Sequence, residues 1–249
     1  MGALGRPLRR TEDRRLITGA GRYLDDLEPA GTLHAVFVRC REAHALLGAI
    51  DTEAACNSPG VMGVFAASDL GLDRPMPNIH PSPLILRSRQ ARPLASKEVC
   101  HVGEPVAVVV ATTRRAAIDA AEMVDVVEDP IPAVASVESA LDGGPPVHLD
   151  SDSNLVATMN ATFGDVDAAF GGAVHISTVR LRQHRGAAAF METRGVLANV
   201  EAGSGDLMVW SSTQAPYALR EHLSRYFALG VERVRVAAPD VGGGFGPKA

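Results

Sequence analysis

The alternation of apolar and polar residues predicts a mixed α/β fold. A first strand is indicated at Leu33–Arg39, after a turn at Gly31, and the apolar run Pro105–Ala111 predicts a buried strand. The segment "TRRAAIDAAEMV" then places alanine, isoleucine and methionine at helical spacing behind a threonine N-cap, and "VDVVED" predicts another short strand. Strand, helix and strand at this spacing indicate a compact α/β unit, which ends where Pro130 and Pro132 interrupt the pattern.

A second unit is predicted after a polar, loop-like connection from about Ala140 to Phe163. The segment "AVHISTVRLRQH" alternates well enough for a strand, and "GVLANVEAGSGDLMVWSST" predicts a hairpin that turns about Gly203 to Asp206. A helix follows, with Pro216 in its first turn and Gly230 at its end. The strand "RVRVAAP" then leads into a glycine-rich loop. Earlier, four prolines between positions 75 and 83 predict a surface loop.

Composition and charge narrow the classes of function. The 249 residues carry a net charge of −5, which argues against a nucleic-acid partner. The N-terminus lacks the apolar region of a secretory signal, and no apolar run is long enough to span a bilayer, so we expect a cytoplasmic location. The three cysteines, Cys40, Cys56 and Cys100, lack metal-binding spacing and are interpreted as small packing residues, and the eight histidines also lack metal spacing. The sequence therefore predicts no metal ligands in this chain.

The glycine-rich loop "DVGGGFGPKA" fits neither common nucleotide motif. The dinucleotide fingerprint would need a glycine at Pro247, and the Walker pattern would need a glycine before Lys248 and a serine or threonine after it. Glycines nevertheless allow positive φ and close backbone approach, so that successive amides can converge on an anion or an oxo group. From composition alone, a flexible tail is an equally acceptable interpretation.

Five segments, taken in order, carry a more specific signal. They are "GRPLRRTEDRRLITGAGRYLDDL", "CHVGEPVAVVVATTRRAAIDAAEMV", "METRGVLANVE", "VWSSTQAPYALREHL" and "RVRVAAPDVGGGFGPK". In this order they resemble the molybdenum-binding large subunits of the xanthine dehydrogenase, aldehyde oxidase and carbon monoxide dehydrogenase family, over practically the whole chain. The resemblance implies an N-terminal arm at 1–18, an α/β hammerhead domain at 19–141, a connection at 142–170, and the start of a mixed α/β molybdopterin-binding domain at 171–249.

The resemblance also implies which residues meet the cofactor. The family's Gly-Gly-Phe-Gly segment lies against the molybdenum centre and its pterin, and it matches Gly243, Gly244, Phe245 and Gly246. The family glutamine that reaches toward an oxo ligand of the metal matches Gln214, whose amide can donate without adding charge. Without the resemblance, Gln214 would be interpreted as a residue that satisfies backbone groups at a helix N-terminus.

Three charged motif residues are left out of the predicted site. Glu192 and Arg194 in "METRG" are interpreted as members of a structural ion pair. Glu104 in "VGEPVA" is explained about equally well as a carboxylate that stabilises a turn before a buried strand. His184 is interpreted as a surface or cap residue.

The implied function is that of an N-terminal portion of a molybdenum hydroxylase large subunit. Such enzymes oxidise an aldehyde, carbon monoxide or an aromatic heterocycle with oxygen from a metal-bound hydroxide or water. The cofactor implied is molybdopterin, in its cytosine dinucleotide form, with molybdenum. The implied partners are a 2Fe-2S subunit, an FAD subunit and the remainder of the large subunit, in a dimer of heterotrimers.

Departures from the family pattern limit this expectation. Purine-oxidising members have a glutamate after the lysine of the loop, where this chain has Ala249, so a purine substrate is disfavoured. Family large subunits are much longer, and the glutamate that acts as their general base lies in the part that is not present here, so no catalytic residue is predicted in this chain. We expect either an N-terminal fragment or a split gene product that is inactive alone. The alternative is a non-catalytic hammerhead module that assembles with other subunits and binds no cofactor.

Overall fold

The structure is a computed structural model, and it describes residues 4–71, 74–76, 91–184 and 186–248. The chain divides into two compact units. Unit 1 combines Met1–Pro29 with Val179–Ala249, and unit 2 comprises Ala30–Thr178. Three of the four prolines of the predicted surface loop, at positions 77, 81 and 83, lie outside the described residues.

The described residues of unit 2 form two three-stranded sheets. One sheet has the order β1-β5-β3 and the other β4-β2-β6, and all the pairs in both are antiparallel. The strands are β1 (His34–Arg39), β2 (Ala45–Asp51), β3 (Val61–Ala66), β4 (Glu98–Val99), β5 (Pro105–Ala111) and β6 (Asp125–Pro130). The predicted strands at β1, β5 and β6 are confirmed, but β5 and β6 belong to different sheets.

The core of unit 2 is made of small apolar side chains. Val99, Val106 and Val109 are fully buried, together with several alanines. The helices of this unit are α2 (Glu53–Cys56), α3 (Arg114–Ala121), α4 (Val137–Leu141) and α5 (Val166–Gly171). The predicted cap of α3 is confirmed, because Thr113 Oγ1 accepts a hydrogen bond from the N–H of Ala116.

Unit 1 carries the third sheet, in the order β7-β8-β9. The predicted hairpin is confirmed by the antiparallel pair β7 (Val196–Val200) and β8 (Leu207–Ser211). The helix α6 (Pro216–Phe227) then leads to β9 (Val234–Ala237), which lies parallel to β8 and also matches a predicted strand. A short helix, α1 (Asp13–Ile17), belongs to the N-terminal segment of this unit.

Three local predictions need correction. Residues 173–184 form no strand, and their side chains are exposed, because alternation alone supplies no hydrogen-bonding neighbour. The helix α6 does not run to Gly230, since it ends at Phe227 with Ala228 in the left-handed region at φ 53°. Cys40 is buried as expected, but Cys56 is exposed at the C-terminal end of α2, so it is not a packing residue.

No helix among the described residues has both the length and the apolar character needed to cross a membrane.

Candidate functional site

The glycine-rich loop after β9 has an unusual backbone. Gly243 and Gly246 adopt φ values of 91° and 101°, and Phe245 adopts 50°, which is rare for a residue with a side chain. Phe245 is also 72% exposed. Strained backbone of this kind is typical of sites that must present backbone groups in a fixed direction.

The loop leaves a series of backbone donors free. Within the described part of the chain, no group accepts a hydrogen bond from the N–H of Gly243, Gly244 or Phe245. Gly244 itself is buried. Buried backbone N–H groups are nearly always paired, so the donor of Gly244 is unusual, whereas Gly243 is half-buried and Phe245 is exposed. The three successive donors are thus available to an external acceptor.

Gln214 is fixed beside this loop at both its backbone and its side chain. Its N–H donates to the carbonyl of Lys248 at 2.8 Å, and the hydroxyl of Thr213 donates to the same carbonyl at 3.0 Å. The side-chain Oε1 accepts from the N–H of Gly246 at 3.2 Å. In this orientation the NH2 of the exposed Gln214 side chain has no acceptor among the described residues.

Two glycines of the loop are required by close contacts. A Cβ at Gly244 would stand 2.2 Å from Oε1 of Gln214, and a Cβ at Gly242 would stand 2.4 Å from Cβ of Glu192. The first contact is with the flexible end of a side chain, whereas the second is with the base of one. Glycine at these positions therefore allows Gln214 and Glu192 to lie directly against the loop backbone.

Glu192 ties the two ends of the loop together. Its Oε2 accepts from the N–H of Gly242 at 2.8 Å and lies 3.0 Å from Nζ of Lys248. The Lys248 side chain is fully buried, and its ammonium also lies 4.8 Å from the centroid of the Phe190 ring. Burial raises the pKa of Glu192, but the hydrogen bonds from Gly242 and Lys248 outweigh it and hold the pKa below its usual value.

The N-terminal segment braces the start of the same loop. The guanidinium of Arg15 forms a bidentate ion pair with Asp240, and the Asp240 carboxylate also accepts from the N–H of Arg22 at 2.7 Å. The N–H of Asp240 in turn donates to the carbonyl of Arg22 at 2.9 Å. The Arg15 side chain, followed by the Arg22 amide, lowers the pKa of Asp240 to about 2.

The structure brings all five predicted site residues together, since Gln214 bonds to Gly246 and lies against Gly244. The ion pair predicted for the "METRG" segment is present, but the partner of Glu192 is Lys248, and Arg194 is exposed. Glu104 accepts from the N–H of Cys100 at 2.7 Å, which confirms the turn-stabilising interpretation. His184 lies on the surface, as expected.

Sequence reasoning missed Lys248 and Asp240 as structural supports of the loop. Lys248 was noted only for its failure to fit a nucleotide motif, and its partner is 56 positions away in the sequence. Both residues belong to the segment "RVRVAAPDVGGGFGPK", whose resemblance to the family does not indicate what each side chain contacts.

Comparison with known families gives two matches, which follow one another along the chain. The model of the aldehyde oxidase and xanthine dehydrogenase a/b hammerhead domain matches residues 18–130. The model of the molybdopterin cofactor-binding domain matches residues 147–249, a range that contains Gln214 and the whole glycine-rich loop.

Individual relatives agree with these matches. The chain is 39% identical over 252 residues to the nicotine 6-hydroxylase large subunit of Paenarthrobacter nicotinovorans. The aligned region covers 99% of this chain and 30% of that relative. It is 34% identical to the carbon monoxide dehydrogenase large chain of Afipia carboxidovorans, over 98% of this chain and 31% of that relative. The chain therefore spans about 30% of the length of each of these two relatives.

Solved structures show the same relationship. Quinoline 2-oxidoreductase from Pseudomonas putida 86 superposes with a TM-score of 0.87 at 33% identity, over 97% of this chain and 31% of that one. A Cu,Mo-containing carbon monoxide dehydrogenase superposes with a TM-score of 0.84 at 32% identity, over 98% of this chain and 32% of that one.

Proposed function

We propose, because this chain belongs to the xanthine dehydrogenase and aldehyde oxidase family of molybdenum-dependent oxidoreductases, that it forms one wall of a molybdopterin site. The wall consists of Gln214 and the loop residues Gly243, Gly244, Phe245 and Gly246. The observation that carries the proposal is the run of unpaired N–H groups at positions 243–245, beside an amide NH2 that also has no acceptor among the described residues.

The donor set fits a molybdopterin group. The phosphate and metal-bound oxo atoms of such a group accept hydrogen bonds and carry negative charge, so this part of it needs donors. The loop offers backbone N–H groups, and the two carboxylates near it already have donors within the chain. Glu192 accepts from Gly242 and Lys248. Asp240 accepts from Arg15 and Arg22. The backbone thus supports an anionic ligand without presenting a competing negative charge.

Each residue of the wall has a separate task. The amides of Gly243, Gly244 and Phe245 would hold acceptor atoms of the cofactor, and Gln214 would donate through its NH2 while Oε1 stays bound to Gly246. The exposed Phe245 ring would cover bound ligand and exclude water from it. When bound, the molybdenum centre would supply the chemistry of the reaction, which is a two-electron oxidation with oxygen transfer to the substrate.

The reaction of the whole protein extends this proposal. We propose that the substrate is an aldehyde, carbon monoxide or an aromatic heterocycle. Similarity to a nicotine 6-hydroxylase large subunit and to a quinoline 2-oxidoreductase supports aromatic heterocycles as the first substrates to try. The general-base glutamate belongs to the part of the relatives that this chain does not span. The same proposal includes the cytosine dinucleotide form of the cofactor, partner subunits that carry 2Fe-2S clusters and FAD, and a dimer of heterotrimers. It also includes a cytoplasmic location and domain limits at 19–141 and 171–249.

The test is the molybdenum and pterin content of purified protein. Measurements are made on the 249-residue chain alone and on the longest polypeptide that its gene encodes, expressed in a host that makes the cofactor. We expect molybdenum and oxidised pterin in equal amounts in the longer product. If neither is present in either product, and both are folded, the enzyme interpretation is wrong and the alternative of a non-catalytic assembly module is favoured.

A further inference from the structure

A cluster of potential metal ligands lies in unit 2, and it shares no residue with the wall described above. His44, Glu98 and Cys100 place their ligand atoms within 4.8 Å of one another. His148 adds a fourth donor, because its Nδ1 lies 3.2 Å from Sγ of Cys100 and 4.0 Å from Oε1 of Glu98.

The strands explain why these side chains converge. In the antiparallel pair of β2 and β4, Ala45 is opposite Val99 and Leu46 is opposite Glu98, so the same register places His44 opposite Cys100. Side chains two positions apart on a strand share a face, which puts Glu98 and Cys100 on one side while Val99 enters the core with no exposed surface. The segment after α4 then brings His148 to this side, where the N–H of Leu149 donates to Oε2 of Glu98 at 3.0 Å.

We infer that His44, Glu98, Cys100 and His148 bind a divalent transition-metal ion of the zinc class. Thiolate, imidazole and carboxylate are the ligands that Zn²⁺ takes in proteins, usually in tetrahedral sites. Bonds of about 2.0–2.3 Å in such a site separate the ligand atoms by roughly 3.3–3.8 Å. The observed separations of 3.2 Å, 3.7 Å and 4.0 Å along the cluster are close to this range.

The state of His44 is the observation that points to an ion. This side chain is 4% exposed, and its Nδ1 lies 2.9 Å from the carbonyl of Pro132, so Nδ1 carries the proton and donates. Nε2 is therefore left with a lone pair, and it is buried without a hydrogen-bond partner among the described residues. A second nitrogen that donates to a backbone carbonyl is the usual companion of a metal-binding imidazole, because it fixes the ring and its tautomer.

A hydrogen-bonded network without an ion explains the cluster less completely. Cys100 and His148 can satisfy each other, and Glu98 accepts from Leu149. The nearby Oε2 of Glu98 lies 3.7 Å from Nε2 of His44, which is beyond hydrogen-bond distance. An ion bound by both atoms satisfies this buried nitrogen, whereas the network leaves it unpaired.

Spacing rules could not reveal these ligands. The prediction that the chain holds no metal ligands rested on the absence of His-x-x-x-His and Cys-x-x-Cys patterns. Here the ligands come from three separate segments, at position 44, at 98–100 and at 148. His44 precedes β2, Glu98 belongs to β4 and His148 follows α4, so an ion bound here would join these segments and have a structural role.

The test is a zinc titration of the metal-free 249-residue chain, with Co²⁺ as a spectroscopic probe. We expect one tightly bound zinc per chain, a thermal midpoint that rises with zinc, and a thiolate-to-cobalt charge-transfer band. Cys100→Ser and His44→Gln should each weaken zinc binding by at least about tenfold, since even changes outside the ligand set cost 10- to 100-fold. Cys100→Ser should also abolish the charge-transfer band.

The matched controls are Cys56→Ser and His175→Gln, both at exposed positions of unit 2. These variants should bind zinc as the parent chain does. Zinc should also slow the reaction of Cys100 with a thiol reagent in the Cys56→Ser chain. This measurement tests the site even if the Cys100 and His44 variants do not fold. Weak binding of many ions, or binding that survives both Cys100→Ser and His44→Gln, would overturn the proposal, and so would unchanged thiol reactivity with zinc.

Discussion

The ammonium of Lys248 lies 3.0 Å from Oε2 of Glu192, and this ion pair joins the two ends of the glycine-rich loop. The Lys248 side chain is fully buried and that of Glu192 is 14% exposed. A buried charge that loses its partner raises the free energy of the folded state, so we expect this ion pair to matter for the stability of the loop.

Glu192→Gln should destabilise unit 1 by about 2–3 kcal/mol, because it leaves the Lys248 ammonium buried without a counter-charge. The measurement is the free energy of unfolding by urea. Arg194→Met is the matched control, since Arg194 is exposed and should be replaceable at little cost. The double variant Glu192→Gln/Lys248→Met should recover part of the loss, because it removes both charges. Equal losses in Arg194→Met and Glu192→Gln would show that the partner has been misassigned.

Asp240 should make stability depend on pH in the acid range. Its pKa falls from an ordinary 3.8 to about 2 in the folded chain. A lowered pKa contributes stability that is complete above the ordinary value and is lost as the pH falls through about 2. Asp240→Asn should therefore lower the thermal midpoint by roughly 2–4 °C near neutral pH. This difference from the parent chain should shrink toward zero as the solution is acidified.

The control for this series is Asp25→Asn, at an exposed position in the N-terminal segment of unit 1. Its thermal midpoint should follow that of the parent chain at every pH. A difference between Asp240→Asn and the parent that stays constant from neutral to acid pH would contradict the role given to the Asp240 carboxylate.

The two crowded glycines of the loop should respond differently to alanine. Gly242→Ala places a methyl group 2.4 Å from Cβ of Glu192, which cannot move without the backbone, so we expect a loss of about 1–3 kcal/mol. Gly244→Ala would clash with the Gln214 side chain from Oε1 at 2.2 Å back to Cγ at 2.7 Å, but this side chain is exposed and can turn away. The loss of stability should therefore be smaller, while the bond from Gly246 to Gln214 is broken. Gly186→Ala is the control in the same unfolding measurement, because no described part of the chain would lie within 4 Å of its Cβ. Similar losses in both loop variants would contradict this distinction.

Local signals explain which parts of the fold could be predicted from the sequence. The Thr113 cap, Pro216 at the start of α6 and the hairpin turn before β8 each depend on a few adjacent residues, and all three are confirmed. The alternation at 173–184 is equally clear, but a strand also needs a partner, which the pattern of one segment cannot supply.

The site was predictable in its residue types and not in its contacts. The glycines at 243, 244 and 246 and the amide at Gln214 could be identified from motifs. The contact of Gly242 with Glu192 joins residues 50 positions apart. Strand register sets His44 opposite Cys100, and the connection after α4 brings His148 to Cys100. Such relationships depend on tertiary packing, which residue spacing does not encode.

The most direct test of the proposed wall is amide hydrogen exchange at residues 243–245, compared between cofactor-loaded and cofactor-free preparations of the longest polypeptide that the gene encodes. Molybdenum analysis of each preparation establishes loading, and the hairpin turn at 201–205 serves as an internal reference. We predict that the amides of Gly243, Gly244 and Phe245 exchange at least about tenfold more slowly when the cofactor is bound, while the hairpin turn is unchanged. Identical exchange at 243–245 in the two preparations, with loading verified, would contradict the assignment of this loop to the cofactor.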